Sequence, residues 1–190
     1  MKGMTDKPLA FLDVDGVLNV RRMPYREYQV EVATASLSVS PFTNSFAGDV
    51  VTFTVRIPTE IPGWLGELGE SFELAWATTW EHAANDYLSG LLGVGQLAVV
   101  ELSATEASWR EVRNGDIGAW KWRAITQYAG QRPFVFIDDD NESVARAHHD
   151  GAQRALWAPE GMTRAHVEEM LTFARDLASG AAVAGDPDLG

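Results

Sequence analysis

Apolar and polar positions along the chain follow two periods. Pro8-Leu9-Ala10-Phe11-Leu12-Asp13-Val14 is a short apolar run of the kind a strand buried on both faces requires, and the turn signal Asp15-Gly16 closes it. Similar runs recur at 72–78, 96–102, 133–138 and 155–157. Between them the period lengthens. Trp80, Ala83, Ala84, Tyr87, Leu88 and Leu91 recur at helical spacing and predict a helix with one buried face. Residues 120–128 and 141–148 predict two more helices, and Ser103 to Glu106 carries a capping signal for a short one. Thr163 caps a last helix, with Val167, Met170, Leu171 and Ala174 on one face. Strands alternating with helices predict an α/β fold, a parallel five-stranded sheet covered by helices on both faces.

One stretch breaks the alternation. Residues 28–35 and 50–57 are rich in Val, Thr and aromatic side chains, and Val51, Phe53 and Val55 alternate with Thr52, Thr54 and Arg56. That period of two, with Pro41, Asn44 and Gly48 in the connection, predicts a β-hairpin after the first strand. We read 21–62 as a small β-rich insertion within a single domain spanning 1–190. The small, polar residues 179–190 predict a flexible tail.

Composition narrows the chemistry. At 190 residues and 46% hydrophobic, the chain has enough apolar material for one well-filled core. It has no cysteine, which excludes disulfides, thiolate metal sites and cysteine nucleophiles. No apolar run reaches the roughly 18 residues of a membrane span, and no secretory signal is evident, so the expected location is cytoplasmic. A formal charge of −12 opposes binding to nucleic acid or anionic membranes. Arg21, Arg22 and Arg26 form the only local basic cluster near the first strand.

In parallel sheets, ligands sit outside the carboxyl ends of the strands, and several polar residues fall there. Asp13 and Asp15 close the first run, two apart, so both carboxylates aim the same way. Such a pair repels unless a proton or cation joins it, and magnesium favours oxygen ligands of this kind. Thr78 and Thr79 end the second run, where a hydroxyl either caps the next helix or binds a phosphate oxygen. Asp138, Asp139 and Asp140 follow an apolar strand and are either a solvated helix start or a cation site. Lys121, between Trp120 and Trp122, either lies along surface rings or neutralises a phosphate, a role Arg123 could also fill. His82, His148 and His149 read as exposed helix residues with no part in such a site.

The order of these features is more telling than any one. Leu9-Ala10-Phe11-Leu12-Asp13-Val14-Asp15-Gly16-Val17-Leu18, then Leu74-Ala75-Trp76-Ala77-Thr78-Thr79, then Lys121, then Phe134-Val135-Phe136-Ile137-Asp138-Asp139, resembles the haloacid dehalogenase superfamily. The resemblance covers residues 9–157 apart from the insertion, and it implies a Rossmann-like core. It further implies a magnesium-dependent phosphatase acting on a small phosphorylated substrate. Asp13 would be the nucleophile that becomes an aspartyl phosphate, and Asp15 the acid and base. Thr78 or Thr79 and Lys121 would hold phosphoryl oxygens. Asp13, the Asp15 carbonyl and an acid of the last motif would hold Mg2+, with Asp139 favoured as direct ligand and Asp138 orienting the site. Within the resemblance, acid at position 15 favours phosphatase or phosphomutase chemistry over that of dehalogenases and transport ATPases, which lack it. The modest size of the insertion then favours the phosphatase, since a mutase usually needs a substantial cap. Alternatives within the resemblance are a phosphatase of nucleotides or nucleic-acid ends, and a non-catalytic binding protein.

Overall fold

β1 (Leu9–Leu12) runs through the middle of a five-stranded parallel sheet, hydrogen-bonded on one side to β4 (Glu73–Trp76) and on the other to β6 (Phe134–Asp138). β5 (Ala98–Val99) and β7 (Gln153–Trp157) form the edges, giving the order β5-β4-β1-β6-β7. The computed structural model describes residues 7–20, 27–36, 50–102 and 117–180. The chain moves outward from β1 through β4 to β5, then crosses back to β6 and β7. The strand order therefore reverses beside β1, and the crevice between the carboxyl ends of β1 and β6 is the topological switch point where such sheets bind ligands.

Alternate residues of the strands feed two cores, as the pleat requires. Ala10, Leu12, Trp76, Val135 and Ile137 face α1 (Ile61–Ser71), α2 (His82–Leu92) and α5 (Arg164–Ser179). Leu9, Phe11, Ala75, Phe134 and Phe136 face Trp120, Ile125 and Ala129 of α3 (Ile117–Ala129). α4 (Glu142–Ala147) packs against α3 and β7. Both faces of the sheet are thus covered, which accounts for strands that are apolar at successive positions.

The predicted insertion is an antiparallel hairpin, β2 (Tyr28–Ser36) paired with β3 (Val50–Pro58) from Tyr28↔Pro58 to Ser36↔Val50. Its base is anchored: Val55 and Ile57 are buried in the larger core, and Val20 N–H donates to the Arg56 carbonyl at 3.1 Å.

Three elements differ from expectation. The insertion ends earlier than residue 62, because α1 begins at Ile61 with Pro62 in its first turn, where a missing N–H costs nothing. Gly63, Gly66 and Gly69 mask this helix in the sequence, although Ile61, Leu65 and Leu68 bury at helical spacing. Trp80 lies in the turn before α2 rather than on it. The run at 96–102 yields only the two residues of β5. The buried side chain of Asn85 explains the late start of the strand: Oδ1 accepts Leu97 N–H at 2.9 Å and Nδ2 donates to Leu97 O at 2.8 Å, so the Leu97 backbone bonds a side chain rather than the sheet. The capping signal at 103–106, Arg21, Arg22, Arg26 and most of the expected tail lie outside the described residues. Among the described residues, no helix is long and apolar enough to cross a membrane.

Candidate active site

Asp13 follows β1 directly, and its N–H donates to the Ile137 carbonyl at 3.1 Å, which ties the end of β1 to β6. Asp138 is the last residue of β6, and Asp139 is the next. Asp13 and Asp138 are buried and Asp139 is half-buried; one carboxylate oxygen from each lies within 4.8 Å of the others. The switch point of the sheet therefore holds three converging acids. The Asp15 carboxylate is not one of them. It stands exposed on the turn beyond, where Asn19 Nδ2 donates to Oδ1 at 2.8 Å and Trp80 Nε1 donates to Oδ2 at 2.7 Å.

Lys121 is not a surface residue lying on rings. It is 4% exposed, and its ammonium reaches Asp13 Oδ1 at 3.0 Å and Asp138 Oδ2 at 2.6 Å. A glycine makes this possible. A Cβ on Gly118 would stand 2.8 Å from the Asn141 Cα and 2.9 Å from the Asp140 carbonyl oxygen, so α3 can approach the turn after β6 only without one. Lys121, three residues on, shares that face of the helix. Arg123 is exposed and does not take this place.

The three acids of the last motif have separate surroundings. Asp138 uses both oxygens: Oδ2 accepts from Lys121, and Oδ1 accepts the Asp140 N–H at 2.7 Å. Asp140 itself is exposed. The Asp139 carboxylate rests over Gly16, whose φ is +82°; a Cβ there would fall 2.0 Å from Asp139 Oδ2. Gly16 thus leaves the space that Asp139 fills. Trp157 Nε1 donates to the Asp139 carbonyl at 2.9 Å and fixes its main chain.

Thr78 is buried beyond the end of β4, and its Oγ1 accepts the Trp80 N–H at 3.3 Å. It closes the turn before α2 rather than capping the helix, whose N-cap Glu81 has no side-chain cap bond. A hydroxyl that accepts one bond still has its own proton to donate. Thr79 is half-buried beside it.

One ammonium serves two buried carboxylates, and the electrostatics follow. Burial pushes the Asp13 carboxyl up from 3.8 to about 7; Lys121 pulls it down, and neighbouring Asp138 adds to the rise. Burial likewise lifts Asp139 to about 6, with Asp138 contributing. Burial disfavours the Lys121 ammonium, but Asp13 and Asp138 more than reverse this and hold it charged. Three carboxylates share one ammonium, so when ionised the cluster is two positive charges short. Hard oxygen donors in that state fit a divalent cation such as Mg2+.

The histidines lie elsewhere. His148 stacks on Trp122 with centroids 4.4 Å apart, and the exposed His82 pairs with Glu101 at 3.6 Å. Sequence reasoning missed Trp80, Asn19 and Gly118. Trp80 read as a core position, and only its indole N–H, aimed at Asp15, marks it out. The chain matches no protein-family model, and no curated protein matches it.

Proposed function

We propose that the protein is a magnesium-dependent phosphatase of the haloacid dehalogenase type, acting on a small phosphomonoester. The observation that carries this reading is the buried Asp13 carboxylate at the sheet's switch point, with the Lys121 ammonium at 3.0 Å and Asp139 converging beside it. Phosphoryl transfer needs positioning and charge neutralisation above all, and this arrangement supplies both.

In the proposed reaction an Asp13 carboxylate oxygen attacks phosphorus. The bond from phosphorus to the ester oxygen breaks, and the leaving oxygen takes a proton from Asp15. The product of this half is an aspartyl phosphate on Asp13. Asp15, now ionised, takes a proton from water as that water attacks phosphorus. Inorganic phosphate departs and Asp13 is again a carboxylate. Splitting one displacement into two lets a single acid/base group serve both halves.

Lys121 favours the ionised form of Asp13 and offsets part of the effect of burial. The Thr78 hydroxyl, with Thr79 beside it, donates to phosphoryl oxygens. Asp13, the Asp15 carbonyl and Asp139 hold Mg2+, whose charge offsets that of the phosphoryl oxygens. Asp138 fits the role of charge partner to Lys121 better than that of ligand, because both of its oxygens already accept hydrogen bonds. The acidic chain disfavours a nucleic-acid substrate.

Phosphate release from 4-nitrophenyl phosphate tests the reading. Wild-type protein is expected to turn over with Mg2+ and to stop with EDTA, and Asp13→Asn is expected to be inactive. Undiminished turnover by Asp13→Asn would remove Asp13 as nucleophile.

A further inference from the structure

Asp15 is exposed at the start of its turn, where a lone aspartate rotates freely about its side-chain bonds, yet here both of its oxygens are held. Asn19 Nδ2 donates to Oδ1 at 2.8 Å, and Trp80 Nε1 donates to Oδ2 at 2.7 Å. The two donors come from different parts of the chain and together define the plane of the carboxylate. Each donor is itself fixed. Asn19 Oδ1 accepts the Arg56 N–H of β3 at 2.8 Å, so Asn19 cannot turn over without breaking that bond. Trp80 is 5% exposed, packed in the larger core, and its backbone N–H is bonded to Thr78 Oγ1 at 3.3 Å. The indole is thus a rigid arm reaching from the Thr78 turn to the Asp15 carboxylate.

We infer that Trp80 is the positioning residue of Asp15: its indole N–H sets the carboxyl orientation from which Asp15 delivers a proton to the leaving oxygen. The inference rests on the phosphatase reading above. A packing role alone would make the indole N–H incidental. A positioning role makes it matter only when Asp15 must protonate a leaving group, and that difference is measurable. An alkyl phosphate expels a basic alkoxide and needs the proton. 4-Nitrophenyl phosphate expels a stable phenolate and does not. The ratio kcat/KM reports the steps up to leaving-group departure, and so isolates this half of the reaction.

The experiment compares wild type, Trp80→Phe, and protein carrying 3-benzothienylalanine at position 80, which keeps the indole shape and lacks the N–H. Expected is a fall in kcat/KM of about tenfold or more on an alkyl phosphate, a size usual for acid catalysis, with little change on 4-nitrophenyl phosphate. Mg2+ affinity is expected to stay as in wild type. In an Asp15→Asn background, Trp80→Phe is expected to add nothing, because the two act as one unit. Equal losses on both substrates, no loss on either, or full additivity with Asp15→Asn would overturn the inference. A wild-type protein inert toward both esters would instead overturn the phosphatase reading, and this inference with it.

Discussion

Gly16 decides whether Asp139 can reach the site. Its positive φ suits glycine, but the stronger requirement is space, since a Cβ would overlap the Asp139 carboxylate at 2.0 Å. Gly130 separates the two effects: its φ is +59°, and a Cβ there meets nothing within 4 Å. Gly16→Ala is therefore expected to weaken Mg2+ binding by about tenfold or more, the usual cost of displacing a group that orients a ligand. Gly130→Ala is expected to lower stability and leave Mg2+ binding intact. Isothermal titration of both variants checks this; equal Mg2+ affinities would show that Asp139 holds no metal. At this scale the sequence was informative for Asp13 and Asp139, whose places after apolar runs are local facts. It did not connect Trp80 or Asn19 with Asp15, which they meet only because a turn and a hairpin base converge on it.

Among elements, α2 is joined to the sheet edge by a buried polar side chain. Asn85 Oδ1 accepts from Trp76 Nε1 at 2.9 Å and from Leu97 N–H at 2.9 Å, and Nδ2 donates to Leu97 O. Asn85→Leu keeps the volume but removes the partner of three donors, Trp76 Nε1, Leu97 N–H and Ser89 Oγ, and of one acceptor, Leu97 O. It is expected to cost about 2–4 kcal/mol, since each buried group left without a partner costs about 1–3 kcal/mol. Urea denaturation measures this, and a loss below the usual scatter of surface substitutions would show that β5 does not depend on Asn85. The same side chain explains why the strand in this apolar run starts only at Ala98. Helix α1 stayed hidden for a different reason. Its glycines lower helical propensity, and only packing on the sheet makes its apolar face pay off.

The whole molecule feels the charge imbalance of its site through pH. Unfolded Asp13 titrates near 3.8, and burial raises the folded value to about 7. The folded state therefore binds more protons than the unfolded state across that window. This group's contribution is fully favourable below about pH 4 and is lost as pH rises toward 7. Mg2+ bound at the proposed site would compete with those protons, so the stabilisation it gives is expected to grow over the same range. Melting temperatures from pH 4.5 to 8, with and without Mg2+, are expected to diverge as pH rises, and to diverge less in Asp13→Asn. Parallel curves in the wild type would place the cation elsewhere. The sequence by itself determined the α/β architecture, the hairpin and the acids at strand ends, because period and strand-end position are written locally. Only the tertiary structure decided the rest. It buried Lys121 between Asp13 and Asp138, set Asp139 over Gly16, and fastened Asp15 to Trp80. Those contacts join residues far apart in the chain, and the sheet order and the close approach of α3 at Gly118 bring them together.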